Sequence, residues 1–286
     1  EQSKKFQKKF VDFSSQIQFF NTDPEMQEEL KKHDLKPVEF SESGHEFWAI
    51  AADEMNDRIL ISDYYDMRLL SWNYKTKKLK LELEHVGSNM DSIAVDWRTG
   101  NVYWIDSGLD AIMVANSDFT HFTKIPLQEK PVAVAVEPMS GKLIYSSASI
   151  SELKDDSVTY KITVCSMTGK DCEIVKKFPL VTKVNALYVD YHNNDEPRLF
   201  YTDEQIHNAF VFSTPLDNEK IKSAEHLHLH MQQKNAEFSS IATYDGWLYA
   251  ADATPRYFPH PEHPEAMVKK HKVFIAYSIF GNSIQS

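Results

Sequence analysis

Three groups of side chains in this sequence could do chemistry. His226, His228 and His230 alternate with Leu227 and Leu229, so a strand there would align three imidazoles on one side. Such a row suits a transition metal or a charge change between roughly pH 5 and 8. No carboxylate or cysteine stands at a fixed ligand spacing from it, so a solvated strand face is the simpler expectation, and no metal or other cofactor is expected. Asp53, Asp96, Glu137 and Asp190 each stand immediately before a turn. A ring of such carboxylates could hold calcium or serve a hydrolase, but an acid leading a turn ordinarily accepts hydrogen bonds from that turn's own backbone. Cys165 and Cys172, the two cysteines, flank Ser-Met-Thr-Gly-Lys-Asp. With Thr168-Gly169 as the turn they face each other across a hairpin, about 5.5 Å apart at Cα, within disulfide reach. That bridge would contribute roughly 2–3 kcal/mol and point to an oxidising, extracellular setting. Gly-x-Ser-x-Gly, His-Glu-x-x-His and phosphate-loop patterns are absent. The expectation is a binding protein, not an enzyme.

The elements that must position these groups repeat. Residues 91–125 hold a short apolar strand (Ile93, Ala94, Val95), an Asp-led turn (Asp96 to Gly100), and a second strand (Val102 to Ile105) closed by Asp106. Two further alternating runs, 111–116 and 121–126, follow across a polar turn. Four short strands in a meander cannot bury both faces alone. The closing acid recurs at Asp23, Asp63, Asp106, Asp203 and Asp252, with Ser147 in its place once. A period of roughly 40 to 50 residues with four strands per unit signals propeller blades that cover one another. The fold expected is all-β, a six-bladed β-propeller over 16–286, preceded by an extension at 1–15. In that extension Phe6, Phe10 and Phe13 form an apolar stripe among lysines. It reads as a terminal segment packing on the propeller, or as a membrane-surface or partner-docking helix. The first and last strands are expected to close the ring in one blade, with Phe19 or Phe20 beside 272–280.

These residues resemble the YWTD, or class B, repeats of the low-density-lipoprotein receptor family. The likeness is closest at AVDWRTGNVYWIDSGLDAIMVAN and continues in PVAVAVEPMSGKLIYSS, SMTGKD, VNALYVDY and AYSIFGN. It covers about 17 to 282. The resemblance implies that Asp63, Asp106 and Asp203 are hydrogen-bonding braces between strands. It also implies that Asn185 matches an asparagine that, in Wnt co-receptor propellers, helps grip an Asn-containing peptide. Lys183 and Thr22 stand where those propellers carry Trp and Arg. An acid-dependent release of ligand also fits the family, with His260, His263 and His271 as added candidates. The family's propellers are flanked by cysteine-rich modules. With two cysteines, this chain is expected to be a free-standing secreted binder or sequestering factor.

In a meander, turns such as 96–100 and 167–171 lie on one rim, and the connections after each motif acid and between repeats lie on the other. The longest connections, 148–158 and 253–270, both belong to the second rim, where binding is therefore expected. Tyr64, Tyr65, Asp66, Asn89, Asp91, Leu109, Asp110, Asn185, Gln205 and His207 would mix aromatic, apolar and acidic groups there, suiting a basic or amphipathic protein or peptide. A net charge of −11 argues against a nucleic-acid partner. No run approaches the ~18 apolar residues of a membrane span, and EQSKKFQ is not a signal peptide, so any secretory signal is expected to have been removed. A monomer is expected. The runner-up is a small cationic amine held in the central channel, as resemblance to secreted insect yellow-related propellers implies. A calcium-dependent hydrolase comes third.

Overall fold

The computed structural model describes residues 47–63, 66–84, 90–151, 157–180, 182–191, 196–224, 227–244 and 247–252. It adds the backbone of short strands at 11–12, 16–17, 255–259, 267–271 and 275–278. Two of these, β1 (Val11–Asp12) and β2 (Gln16–Ile17), pair as a hairpin. Four antiparallel sheets then follow in chain order. The first is β3 (Phe47–Asp53), β4 (Arg58–Asp63), β5 (Arg68–Asn73) and β6 (Lys78–Leu83). The second is β7 (Ile93–Val95), β8 (Val102–Asp106), β9 (Ala111–Ala115) and β10 (Phe122–Pro126). The third is β11 (Lys130–Glu137), β12 (Lys142–Ser151), β13 (Ser157–Ser166) and β14 (Glu173–Lys177). The fourth is β15 (Leu187–Asp190), β16 (Arg198–Gln205), β17 (Asn208–Pro215) and β18 (His228–Lys234). A fifth, three-stranded sheet joins β19 (Phe238–Tyr244), β20 (Trp247–Asp252) and β23 (Ile275–Ser278), with the hairpin β21 (Pro255–Pro259) and β22 (Met267–His271) between.

Each first strand lies against the next sheet's first strand, β3 to β7 to β11 to β15 to β19, so these five strands follow one another around a common axis. Second strands are sandwiched between neighbouring sheets. That is why β4 and β8 are buried along their whole length and read as continuous apolar runs, while the outermost β6 and β10 are mostly exposed. Contact between sheets is apolar and alternates along each strand. Leu60 and Trp104 pack between sheets one and two, Ile105 and Leu143 between two and three, Ile144 and Tyr201 between three and four, and Phe200 and Leu248 between four and five. Ile59, Ile61, Leu70 and Trp72 form a separate buried cluster on the other face of the first sheet.

The motif spacing is matched: Asp63, Asp106 and Asp252 end the second strands of three sheets, and Ser147 and Asp203 fall inside longer second strands. Among the described residues there are four complete blades and the three-stranded sheet, short of the six expected; motif position Asp23 lies outside the described residues. Two expectations need correction. Residues 148–151 and 157–158, expected in a long loop, extend the β12–β13 hairpin through pairs such as Ser149 with Thr159 and Ile150 with Val158. The Ser149 and Thr159 hydroxyls hydrogen-bond at 2.9 Å, giving the polar segment a reason to stay paired. Likewise 255–259 pairs with 267–271 inside the stretch expected as loop 253–270. The C-terminal strand β23 pairs with β20; Phe19 and Phe20, its expected neighbours, lie outside the described residues, as does the stripe at Phe6, Phe10 and Phe13.

The helix α1 (Asn218–Ser223), not anticipated from periodicity, sits between β17 and β18. Asp217 caps it by accepting from the backbone N–H groups of Glu219 and Lys220, and Ile221 anchors it in the core. That cap was the available sequence signal.

Candidate functional site

Chain direction alternates strand by strand, so the topology sorts every connection onto one of two rims. The turns between first and second strands, and between third and fourth, share one rim. The turns between second and third strands, and the links between sheets, share the other, which we call the linker rim. Asp66, Leu109, Asp110, Gln205 and His207 all fall on the linker rim, on turns at a distance from the axis. Asp91 and Asn185 also fall there, but just before first strands, at the axis. Tyr64, Tyr65 and Asn89 lie outside the described residues. The candidates therefore divide into an outer and a central group.

The outer turns each carry an exposed apolar side chain: Met67 is 43%, Leu109 53% and Ile206 73% exposed. Asp66 is ion-paired with Arg68 at 2.9 Å. Asp110 holds the left-handed backbone (φ 46°) that closes its turn, and its carbonyl accepts from Leu127 N–H at 2.8 Å. His207 lends its carbonyl to Asn235 N–H at 2.9 Å. These contacts tie the outer turns to the neighbouring links, leaving the side chains Leu109, Gln205 and His207 in solvent.

The central group lines a channel with a cavity of about 380 Å³. Its walls come from the first strands of all five described sheets, mainly Ala, Ile and Val with Trp48 and Tyr188 among them, joined by Tyr249 and Ala251 from the second strand of the fifth. At the linker rim the wall ends in Trp48, Asp91, Asn185 and Ser239. The indole N–H of Trp48 and the hydroxyl of Ser107 donate to the Asp91 carboxylate; burial dominates, however, and raises its pKa above the ordinary aspartate value. At the opposite rim Trp97 meets Tyr191 edge-to-face, ring centroids 5.9 Å apart, and the Tyr191 hydroxyl donates to Glu137. The sequence reading missed Trp48, Trp97, Tyr188, Tyr191 and Tyr249 as one set. The available signal was register: three residues before the second-strand motif acid, the partner on the first strand is Ala51, Ala94, Ala135 or Ala242, except in the fourth sheet, where Tyr188 faces Phe200.

Asn185 is anchored from behind. Its amide donates to Glu204 at 2.8 Å, and its backbone N–H donates to the Thr202 hydroxyl at 3.0 Å. Thr202 also accepts from the Ala186 N–H at 3.0 Å, and Ser62 and Ser146 hold the equivalent N–H groups of Ala49 and Ala133 at 2.7 and 3.0 Å. The brace between strands is thus the hydroxyl before the motif acid, whereas Asp106 accepts from the Gly108 and Leu109 N–H groups of its own turn. Where Ser147 replaces the acid, Glu129 from the preceding link fills in, accepting from Ser147 at 2.9 Å and pairing with Lys161.

Glu204 is buried, and burial, with Glu237 beside it, pushes its pKa up to about 8. An acid raised in this way contributes its stability fully below its unfolded value, near 4.5, and loses it as pH rises through 8. Glu204→Gln keeps the acceptor for Asn185 without the charge. Its stability advantage over the native protein should be absent near pH 4 and grow to on the order of 3 kcal/mol above pH 8, read by urea unfolding across that range. A pH-independent difference would contradict this.

The turn acids behave as structural groups. Asp96 accepts from Arg98 and Thr99 N–H, and Glu137 from Met139 and Ser140 N–H. Asp53 accepts from Asn56 and Arg58. Among the described residues no group of three or more His, Cys, Asp or Glu side chains is placed to hold a metal. Of the histidine row, His226 lies outside the described residues. His228 is exposed, and His230 sits at an irregularity in the β17–β18 pairing, hydrogen-bonded to Ser213 at 2.7 Å and packed on Phe200. Burial, then Arg198 and His228, lower the His230 pKa to about 4. His230 is therefore not the switch near pH 6 that the alternation allowed.

The expected disulfide is present. Cys165 and Cys172 face each other with Cα atoms 4.1 Å apart, closer than the hydrogen-bonded spacing anticipated. Gly169, left-handed at φ +75°, makes the turn, and a Cβ there would come within 2.3 Å of Ile125. Cys165 is buried among Tyr103, Ile105 and Ile112, while Cys172 is exposed.

No family model matches the sequence. Among solved structures, a chain of a nidogen–laminin complex superposes with a TM-score of 0.65 at 16% identity, over 85% of this chain and 84% of that one. A gluconolactonase from Xanthomonas campestris follows at 0.52 and 13% identity, over 80% and 76%. The tricorn protease gives 0.52 at 11% identity, over 87% of this chain and 28% of that one. By fold, the chain is a β-propeller. At these identities the propeller is what the relatives share; their partners and chemistries differ among themselves. No helix among the described residues is long and apolar enough to cross a membrane.

Proposed function

We propose that this is a secreted, non-catalytic, six-bladed propeller of the YWTD type, acting as a monomer that binds a protein or peptide on its linker rim. The observation that carries the reading is the set of three exposed apolar tips, Met67, Leu109 and Ile206, on the same rim as the mouth of a central cavity. Apolar tips around a pocket, interspersed with acids such as Asp66, Asp91 and Asp110, suit recognition of an amphipathic or basic surface. The disulfide supports an extracellular setting, and the similarity to a chain from a complex of two proteins supports a protein partner. A sixth blade is supported by the buried cluster of Ile59, Ile61, Leu70 and Trp72, which turns away from the second sheet. A lactonase-like activity is the competitor raised by the gluconolactonase likeness; engagement of Asp53, Asp96 and Glu137 by local donors favours binding over turnover.

The test is cross-linked capture from extracellular fluid by the native protein and by Leu109→Ala, Asp110→Ala and Ile206→Ala. Each should lower recovery of the captured partner about tenfold in apparent affinity, a loss of roughly 1.4 kcal/mol. Met139→Ala, on the opposite rim, should leave it unchanged. Undiminished capture by all three linker-rim variants would remove that rim from consideration. A second reading, a small cationic amine in the channel, is favoured by the Asp91 carboxyl at the mouth.

A further inference from the structure

The cavity lies at the centre of the proposed binding rim, and its chemistry is unlike that of the turns around it. The surrounding turns offer single apolar tips that project into solvent. The channel instead offers walls from five sheets: Ile50, Ile93, Val134, Leu187 and Ile241 at matched positions on five first strands. At the next matched position four sheets carry alanine, at 51, 94, 135 and 242, which leaves the space. The remaining sheet, the fourth, carries Tyr188, a larger side chain that lines the cavity at this level and packs against the contact between the fourth and fifth sheets. Hydrogen-bonding groups stand at the ends: Asp91, Asn185 and Ser239 beside the half-exposed indole of Trp48 at the linker-rim mouth, and Glu54 at the opposite rim. An apolar shaft with polar groups at its entrance matches one residue of a polypeptide. The side chain fills the shaft, and the backbone N–H and C=O remain at the entrance to pair with Asp91 and Asn185. The strongest contacts of protein interfaces have this layout, a large aromatic anchor in a central pocket ringed by weaker contacts that exclude water.

Resting on the linker-rim reading above, we infer that the channel takes one uncharged aromatic side chain of the protein partner, with Asp91 and Asn185 holding that residue's backbone and Tyr188 setting how large the side chain can be. Asn185 is fit for this role because Glu204 and Thr202 hold it in place from behind. An aromatic ring also has partners in the shaft, since Trp48, Tyr188 and Tyr249 all reach it. A charged head driven down the shaft would leave water for a wall of Ile, Val and Ala, which opposes a lysine or arginine anchor.

The test uses single-residue probes, N-acetyl-phenylalaninamide, N-acetyl-tryptophanamide and N-acetyl-lysinamide, titrated by NMR against the full chain. Phenethylamine is added as the free-amine arm. The phenylalanine probe should bind one-to-one and at least about tenfold tighter than the lysine probe. Ser239→Phe, which fills the mouth from an accessible position, should abolish that binding. Tyr188→Ala should reverse the order of the phenylalanine and tryptophan probes in favour of tryptophan. Because Tyr188→Ala also removes packing, Tyr188→Phe serves as its control and should retain the native order. The phenylalanine probe should also displace the captured partner.

Preference for lysine or for phenethylamine, indifference among probes, or binding that survives Ser239→Phe would each overturn the inference. Leu109→Ala and Ile206→Ala should not affect the probes. Loss of capture in those variants without any probe binding would therefore leave the rim reading standing and sink this inference alone. Probe binding with undiminished capture by the rim variants would do the reverse.

Discussion

Replacing Arg58 by methionine is expected to destabilise the protein by about 3–5 kcal/mol. Arg58 is buried between the first and second sheets. Its Nε donates to Asp53 at 2.7 Å, its Nη1 to Glu82 at 3.0 Å, and its Nη2 to the Ser117 carbonyl at 2.5 Å. The guanidinium also lies 5.2 Å from the centre of the Phe119 ring. Both carboxylates are almost wholly buried, with side-chain exposures of 0% for Asp53 and 3% for Glu82. Burial by itself pushes the Glu82 pKa up. Hydrogen bonds from Lys80 and Ser71 and the charge of Arg58 outweigh that, holding it below the usual glutamate range. Methionine would fill much of the volume but strand two carboxylates without their shared cation, which is the costly way to break a buried ion pair. Neutralising them, in Arg58→Met/Asp53→Asn/Glu82→Gln, should recover a large part of the loss. Urea unfolding of the two variants at neutral pH decides the matter. A single substitution within about 1 kcal/mol of the native protein would mean the cluster is solvated in solution.

The two cysteines should prove unequal although they form one bond. Opening the Cys165–Cys172 link costs roughly 2–3 kcal/mol by freeing the unfolded chain, whichever residue is changed. At Cys172, exposed on the hairpin, serine adds little to that. At Cys165 the new hydroxyl would sit among Tyr103, Ile105, Ile112 and Leu143, and an unsatisfied buried hydroxyl costs a further 1–3 kcal/mol or so. The expected order of stability is therefore native, then Cys172→Ser, then Cys165→Ser. Cys165→Ala should return close to Cys172→Ser. Mild reduction of the native protein should reproduce the Cys172→Ser value. Equal losses for the two serine variants would show that Cys165 reaches solvent or that the hydroxyl finds a partner.

Order within each blade was legible in the chain because it depends on neighbours in sequence. The apolar runs at 59–61 and 102–105 announce central strands because both faces of such a strand are covered. Asp96 and Glu137 lead turns whose N–H groups they accept, two and three residues on. The cysteines flank a turn short enough to bring them together. Polarity alone was a poorer guide: the hydroxyl-rich stretch after Ser147 looked like loop, yet it pairs because its partner strand carries matching hydroxyls. His228 and His230 alternate on paper, but an irregularity in pairing gives them different surroundings, one in solvent and one against Phe200 and Arg198.

The channel had no comparable signature. Trp48, Asp91, Val134, Asn185 and Ile241 meet there from five first strands or the residues leading into them, each separated from the next by a whole blade. Nothing local distinguishes an alanine that opens a channel from one that packs in a core, and Tyr188 matters only because the other blades carry alanine at its level. What the amino-acid sequence determined by itself was therefore the blade, its turns, its disulfide and the rim to which each turn belongs, since hydrogen bonding and side-chain alternation act over a few residues. Closure of the sheets about an axis decided the rest. It separated Asp91 and Asn185 from the outer candidates, buried Glu204 behind Asn185, and created the cavity, because distances across an axis are set by packing between blades.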